Sequence, residues 1–233
     1  MATDIHRDRM DAVFSDKASL VLREMLAEPG REWVVRDFVD ELKLGRGWVA
    51  TVMAILRKGG YLKGKARGRS AGACLRNQES LLQEWTRHYR MDQNPVEIYY
   101  SPSPDILPQL KTVLKRRGDL SAYALTLHSG ANLLTNHVRD PNIYVYLAPT
   151  RFSTLVSELR LALDLKELKQ GGNIYFFRPY YRASAFHNLR EIQGYPVVSN
   201  IQLFLDLYHF PARGREHSEY LVRILKNQGT PLA

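Results

Sequence analysis

The residues that come closest to a catalytic pattern are Ser129-Gly130 and the later Asp140-Pro141-Asn142, which precedes the apolar run Ile143–Leu147. Nucleotidyl transfer needs a Gly-Ser turn for phosphate and two or three carboxylates that hold metal ions. Asn142 stands where the second carboxylate would be required, and one carboxylate does not hold two metal ions. The sequence therefore predicts no catalytic residue and no metal site here, only a loop before a strand.

The histidines and the single cysteine also lack a pattern for chemistry. No two of the seven histidines have the spacing of a helical metal pair, and Cys74 has no second cysteine for zinc or for a disulfide. His128 beside Ser129 could suggest a base with a nucleophile, but adjacent side chains seldom converge and no orienting acid is evident. We expect core or surface histidines, no cofactor and no enzyme activity.

Binding is indicated more strongly by a basic segment between Leu42 and Gln78. It carries nine Lys or Arg and no Asp or Glu, in a chain whose net charge is +9. Its cations are Lys43, Arg46, Arg57, Lys58, Lys63, Lys65, Arg67, Arg69 and Arg76. Neutralising nucleic-acid phosphates, with release of their counterions, is the physical reason for such a patch. The alternative is a solvated basic loop on a small helical domain.

Two short helices are predicted to position these cations. Their apolar residues recur at i, i+3, i+4 and i+7, on one face of each helix: Val35, Phe38, Val39 and Leu42, then Val49, Val52, Met53 and Leu56. The break from Lys43 to Arg46 is too short for anything but a corner. A first helix from Ser15 or Asp16 to Ala27, and a hairpin with strands Tyr61–Lys65 and Ala73–Arg76, complete a winged helix-turn-helix.

This arrangement predicts double-stranded DNA as the partner. The second helix has small residues such as Gly47 and Ala54 opposite its apolar face, which would let it enter the major groove, where base edges can be read. Arg46 at its start and Thr51 about one turn later are the expected base contacts, while Trp48 packs on the first helix or lies against a sugar-phosphate edge. The predicted DNA-binding residues are Arg46, Trp48, Thr51, Arg57, Lys58, Lys63, Lys65, Arg67 and Arg69.

After a boundary near Met91–Pro95, strands alternate with helices, which predicts an α/β domain. Strands are expected at 96–100, 123–127, 143–147, 173–178 and 195–198, and helices at 107–115, 129–134, 151–165, 199–208 and around 217–225. A connecting helix at 79–89 is predicted ahead of the boundary. The predicted fold class is mixed α+β, with a winged helix-turn-helix domain at 1–94 and an α/β domain at 95–233. A degenerate nucleotidyltransferase-like fold is a candidate for the second domain. Asp206 is expected to pair with Arg213 or Arg215.

The sequence also favours the cytoplasm. Residues 1–16 are charged and lack the apolar run of a signal peptide, and no stretch approaches the eighteen or so apolar residues of a membrane span. A single cysteine suits a reducing compartment. We expect a cytoplasmic protein without membrane contact.

One C-terminal segment resembles a known family. Val197–Leu207, followed by Pro211–Glu216, is similar to the signature of AbiEi-type proteins, the antitoxin components of type IV toxin–antitoxin systems and their stand-alone relatives. Tyr123–Thr126, ahead of a small-residue helix, is similar as well. The sharpest part of the signature is Ser199-x-x-Gln202, then Leu205-Asp206-Leu207, then Arg213-Gly214. The resemblance covers most of the chain and extends to the order of the two domains.

The resemblance implies a DNA-binding autorepressor whose second domain opposes a nucleotidyltransferase-type toxin. We therefore expect a transcriptional regulator that acts as an antitoxin and repressor. Two alternatives stay open at this point. One is a protein-interaction module that neutralises a toxin, with DNA binding secondary. The other is an enzyme that modifies RNA or nucleotides.

Overall fold

The computed structural model of the protein describes residues 10–65, 72–116, 122–168 and 170–230. These residues form two compact units, one that ends at Tyr89 and one that runs from Arg90 to Gly229. Both units contain helices and strands, so the predicted mixed α+β fold class is confirmed. Within these ranges, none of the helices has the length and apolar character needed to cross a bilayer.

The first unit begins with helices α1 (Asp16–Ala27), α2 (Val35–Leu42) and α3 (Arg46–Lys58). Ser15 precedes α1, as predicted, but its hydroxyl donates a hydrogen bond to the carbonyl of Ala12 and does not cap the helix. Only three residues connect α2 to α3. The chain turns at Lys43, whose φ of 55° is left-handed, a conformation common just beyond helix ends.

The apolar faces predicted for α2 and α3 point towards the core of this unit. All four apolar positions of α3 are buried, and Phe38 of α2 is fully buried. The other three apolar positions of α2 are half-buried. The Phe38 ring stacks on that of Trp33, with 4.8 Å between the ring centroids, so the entry into α2 is fixed by an aromatic pair.

A hairpin follows α3. Its strands β1 (Leu62–Lys63) and β2 (Cys74–Leu75) are antiparallel and shorter than predicted. Trp33, from the connection between α1 and α2, exchanges two backbone hydrogen bonds of 2.8 Å with Ala73 and so adds a third segment beside the hairpin. Helix α4 (Gln78–His88) closes the unit, and the side chain of Asn77 caps it by accepting from the backbone N–H of Ser80.

The second unit contains a six-stranded mixed sheet with the order β3-β6-β5-β4-β8-β7. The strands are β3 (Val96–Tyr99), β4 (Tyr123–Leu125), β5 (Ile143–Leu147), β6 (Ile174–Phe177), β7 (Arg190–Ile192) and β8 (Tyr195–Val197). Neighbouring strands are antiparallel except in the pairs β5–β6 and β4–β8. Strand β7 is not predicted by the sequence, because its residues are mostly polar and it lies at the edge of the sheet.

The helices of this unit follow the predicted positions. A 3-10 turn (Met91–Gln93) precedes β3, and the helices are α5 (Ile106–Arg116), α6 (Leu127–Thr135), α7 (Phe152–Ala162), α8 (Asn200–Tyr208) and α9 (Gly214–Asn227). The Ser199 hydroxyl caps α8 by accepting from the backbone N–H of Gln202. Helix α9 packs on α8 and α6. A Cβ at Gly214 would lie 2.3 Å from the Leu207 carbonyl oxygen, so this close approach requires glycine.

Candidate nucleic-acid interface

The outer face of α3 is exposed, small and free of carboxylates. Gly47, Ala50, Thr51 and Ala54 recur once per turn on this face, and Arg46 is exposed at the first position of the helix. Trp48 is 38% exposed, so a large apolar side chain is accessible beside this face. A helix with small side chains along one exposed face can approach another surface closely.

The hydroxyl of Thr51 is already engaged within the helix. Its Oγ1 donates to the carbonyl oxygen of Gly47 at 3.0 Å. The side chain therefore presents its methyl group and the lone pairs of its oxygen to an outside partner. A thymine methyl or a base amino group fits these two functions, because the first offers an apolar contact and the second donates a hydrogen bond.

The hairpin adds cations beyond the end of α3. Lys63 and Lys65 are exposed, and the Lys65 carbonyl accepts from the backbone N–H of Gly72 at 3.0 Å, which holds the two arms together. Gly64 has a φ of 116°, and a Cβ there would lie 2.4 Å from the Gly72 carbonyl oxygen, so glycine is required. The expected contacts Arg67 and Arg69 lie outside the described residues.

The remaining predicted cations stand at the end of α3. Lys58 is exposed, whereas Arg57 is half-buried, and its Nε is buried without a hydrogen-bond partner in the described ranges. The two residues therefore differ in accessibility. Lys58 can reach a phosphate directly, whereas Arg57 reaches outward only through the end of its guanidinium group. Long cationic side chains often bury their stems in this way.

The carboxylates of α2 are held by local partners. Asp37 accepts from the backbone N–H of Val34 at 2.8 Å, at the helix N-terminus where a negative charge is favoured. Asp40 pairs with Arg36, and Glu41 pairs with Arg31 at 2.9 Å. Between Val35 and Gln78, the carboxylates of the described residues therefore lie on α2, whereas the charged side chains of α3 and the hairpin are all cations.

In the second unit, the Ser129 and Asp140 region is a structural cluster. Asp140 accepts from the backbone N–H of Asn142 at 2.9 Å and from the Tyr144 hydroxyl at 2.8 Å. The Ser129 hydroxyl accepts from the backbone N–H of Tyr144 and donates to the Asn142 carbonyl. These bonds fix the start of β5 against α6. No group of three or more His, Cys, Asp or Glu in the described parts of the chain is arranged to hold a metal ion.

Sequence reasoning missed a buried histidine pair beside this cluster. The Nδ1 atoms of His128 and His217 lie 2.8 Å apart, and both rings are fully buried. His128 Nε2 lies 2.7 Å from the Ala212 carbonyl, which can only accept, so this nitrogen carries a proton. Burial lowers the pKa of His128, and burial together with the His128 ring lowers the pKa of His217 to about 4. Both rings are therefore neutral at pH 7.

The hydrogen bonds of the two histidines continue to Thr135, and the position of each proton can be assigned in the same way. In the neutral pair His128 accepts at Nδ1, so His217 donates there and its Nε2 must accept. Thr135 Oγ1 lies 2.7 Å from this Nε2 and 2.9 Å from the Ala131 carbonyl, and it has one proton for the two acceptors. These contacts form a hydrogen-bonded network in the core of the second unit.

The expectation for Asp206 is wrong. This carboxylate is fully buried and accepts from Thr126 Oγ1 at 2.5 Å, from the Tyr146 hydroxyl at 2.8 Å and from Gln202 Nε2 at 2.8 Å. Arg213 and Arg215 are exposed and pair instead with Glu216 and Glu219 on the next turns of α9. The role we infer from this geometry is to tie α8 to β5 through Tyr146 and to the end of β4 through Thr126, while the Gln202 hydrogen bond lies within α8.

The chain matches a known protein family over most of the second unit. The family described as "Transcriptional regulator, AbiEi antitoxin, Type IV TA system" has a model that matches residues 74–225. This span begins at β2 and ends within α9, so it covers most of the second unit and leaves α1, α2 and α3 outside. No curated protein and no solved structure matches the chain significantly.

Proposed function

We propose that this chain, which belongs to the AbiEi antitoxin family of transcriptional regulators from type IV toxin–antitoxin systems, is a DNA-binding repressor of its own gene. In this proposal the first unit is a winged helix-turn-helix, α3 is the recognition helix and the β1–β2 hairpin is the wing. The domain boundary then lies near residue 94, and the partner is double-stranded DNA in the cytoplasm.

The observation that carries the proposal is the exposed face of α3. It combines Arg46, small residues and the Thr51 methyl group, and it has no carboxylate. Bidentate contact of an arginine with guanine is the commonest specific contact in the major groove, and a smooth helix face is what lets the arginine reach it. The exposed lysines of the hairpin supply phosphate contacts beside the groove.

The first test is a titration of the full chain with duplex DNA from upstream of its own gene and with a scrambled duplex. Arg46→Ala and Thr51→Ala should each weaken binding to the cognate duplex by roughly 1–3 kcal/mol and leave non-specific binding unchanged. Both residues are exposed, so melting curves should match the parent. Parent-like affinity of both variants for the cognate duplex would remove α3 from the interface.

Lys63 and Lys65 test the hairpin with a different signature. Their replacement by alanine should weaken all duplexes alike and lower the slope of log affinity against log salt by roughly one for each phosphate contact. The matched control is Lys166→Ala, which removes an exposed lysine that pairs with Asp164 in the second unit. A control effect as large as that of the hairpin variants would show that net charge alone governs binding.

Ala50→Leu probes how closely α3 approaches its partner. Ala50 is exposed, and leucine is a good helix former, so folding should be unaffected. If the helix lies in the major groove, three extra heavy atoms on its exposed face should collide with the base edges and abolish cognate binding. Unchanged binding would show that this face remains in solvent in the complex.

The family match favours a second role in the other unit. Because the match lies mainly on residues of the second unit, we propose that this unit opposes a nucleotidyltransferase-type toxin. The test uses the full chain: an Arg46→Ala variant that no longer represses should still rescue growth of cells that express the neighbouring toxin. If Arg46→Ala loses both DNA binding and growth rescue at the same protein level as the parent, the chain would oppose the toxin only through repression.

A further inference from the structure

We propose that the second unit has a nucleotide-phosphate site in the groove between α5 and the β7–β8 hairpin. The groove has a volume of about 600 Å³ and is lined by Pro108, Lys111, Thr112, Lys115 and Tyr195. Two of these residues are cations, two more carry hydroxyl groups, and none is a carboxylate. A space of this size accommodates a ligand as large as a nucleotide.

The cation Lys111 is held at the wall of the groove. Its Nζ lies 4.7 Å from the centre of the Tyr195 ring, a cation–π contact. The turn after β7 is a two-residue connection in which Gln193 and Gly194 both have positive φ, as in the tight type I′ hairpin. A Cβ at Gly194 would lie 2.7 Å from Lys111 Nζ, so the turn and the lysine are in close contact.

Arg190 has two guanidinium nitrogens, Nε and Nη2, that are buried without a hydrogen-bond partner among the described residues. Burying a guanidinium without a partner is unfavourable, because each unmade hydrogen bond to a charged group leaves its desolvation uncompensated. Burial also lowers the pKa of Arg190, although an arginine stays charged at any physiological pH.

The sheet register places Arg190 beside the groove. Arg190 is paired with Val197, and Ile192 with Tyr195, so Arg190 and Tyr195 project from the same face of the sheet as diagonal neighbours. Diagonal neighbours on one face are about 7–8 Å apart, within reach of a long side chain. The Arg190 side chain therefore lies on the same side of the sheet as the Tyr195 ring, with its Nε and Nη2 atoms buried behind the residues that line the groove.

Tyr123 adds a second unused donor on this face. Strands β4 and β8 are parallel with Leu125 beside Val197, so Tyr123 and Tyr195, two residues earlier in each strand, are neighbours. The Tyr123 hydroxyl is buried without a hydrogen-bond partner in the described ranges. Burial raises the pKa of Tyr123, with a smaller contribution from Tyr195, so the hydroxyl keeps its proton and can donate.

Phosphate is the ligand chemistry that satisfies this set. The lysine ammoniums, the guanidinium and the phenol are all donors, two of these three types are cationic, and phosphate offers several acceptor oxygens at once. A single carboxylate would satisfy only part of the set. We assign the groove to the phosphates of a nucleotide, either a free nucleoside triphosphate or single-stranded RNA.

The experiment measures binding of the full chain to two probes, fluorescent ATP and a short fluorescent oligo(U) RNA. Lys111→Gln should weaken the probe that binds by about tenfold, the loss expected for one charge-assisted hydrogen bond. The control Arg139→Gln removes one exposed positive charge from the same unit and should leave affinity unchanged. A response of ATP alone identifies the free nucleotide, and a response of RNA alone identifies the phosphodiester.

Arg190→Met gives a readout that a structural arginine would not give. Methionine has a similar length without the unpaired polar atoms, so the unliganded variant should melt a few degrees above the parent, about 2–5 °C. Its melting temperature should no longer rise when ATP or RNA is added. A lower melting temperature than the parent would mean that Arg190 is needed for folding, and it would overturn the assignment of Arg190 to the ligand.

The site is independent of the proposed DNA interface. Arg46→Ala should keep ATP or RNA binding, and Lys111→Gln should keep binding to the upstream duplex, so failure of one proposal does not imply failure of the other. If the parent binds neither probe, or if Lys111→Gln and Arg139→Gln change affinity equally, the groove is not a phosphate site.

Discussion

Acidification should destabilise the second unit through the buried pair His128 and His217. Burial is the main reason that the pKa values of both rings are lowered, and the pKa of His217 falls to about 4. A histidine in the unfolded chain has a pKa of about 6.5. Below pH 6.5, His217 of the unfolded chain binds a proton. His217 of the folded protein binds a proton only as the pH approaches 4. The free energy of unfolding therefore falls through this window as the pH falls.

The size of the loss follows from the two pKa values of His217. At pH 7.5 both states are neutral and the contribution is negligible. At pH 5 the unfolded state gains about 2 kcal/mol relative to the folded state, and the limit, reached below pH 4, is about 3.4 kcal/mol. The lowered pKa of His128 acts in the same direction. A loss of this size is a large fraction of the stability of an ordinary domain.

The assay is urea unfolding of the parent, His217→Gln and His209→Gln at pH 7.5, 6.5, 5.5 and 5.0. Glutamine at position 217 removes the titrating group, so the difference in stability between pH 7.5 and 5.0 should be about 2 kcal/mol smaller than in the parent. His209 is exposed, and His209→Gln is the control for the loss of a histidine from the same unit. Carboxylates that titrate in this range contribute to every variant and cancel in the comparison.

Parallel loss of stability in the parent and His217→Gln would refute the reasoning, because His217 would then have the same proton affinity in both states. Titration of the imidazole signals by NMR gives an independent check. A midpoint near 6.5 for His217 in the folded protein would contradict burial as the controlling influence.

Three other outcomes are expected. Val52→Asp should destabilise the first unit by more than about 4 kcal/mol in a melting experiment, since Val52 is 4% exposed, whereas the exposed neighbour Thr51→Asp should keep the fold and lose duplex affinity. Asp206→Ala should lower the free energy of unfolding in urea by about 3–5 kcal/mol, because three buried donors lose their acceptor, and Asp206→Asn, which keeps one acceptor oxygen, should lose less. Incubation with labelled nucleoside triphosphates, Mg²⁺ and tRNA should give no labelled product; a product that disappears in Asp140→Ala would show that the chain is an enzyme.

The helices of the first unit could be predicted because their pattern is local. In α3 the buried residues recur with the helical period, and the chain between α2 and α3 is too short for any arrangement but a corner. The strands of the hairpin were predicted too long, since the sequence does not show where backbone pairing ends. Strand β7 was missed for a related reason: two of its three residues are charged, and the Gln193-Gly194 turn was its only strong signal.

The side-chain hydrogen bonds of the second unit could not be predicted, because they join residues that are far apart in the sequence. His128 and His217 are 89 positions apart, and Asp206 is 80 positions from Thr126. Charge suggested arginine as the partner of Asp206, but a carboxylate on the buried side of α8 meets hydroxyl and amide donors from the sheet and from its own helix. The unpaired atoms of Arg190 are equally invisible in the sequence, because a missing partner can be recognised only once every neighbour is placed.

The backbone pairing of Trp33 with Ala73 has a consequence for how the first unit folds. It closes a chain loop that contains both α2 and α3. Closing a loop of about forty residues costs roughly 3 kcal/mol of chain entropy, which is more than the roughly 1 kcal/mol that each of the two backbone hydrogen bonds typically contributes. The loop therefore stays closed only while the Trp33 ring is packed on Phe38 in the core. The hairpin and the helix pair consequently form a single cooperative unit, in which neither part persists once the other has melted.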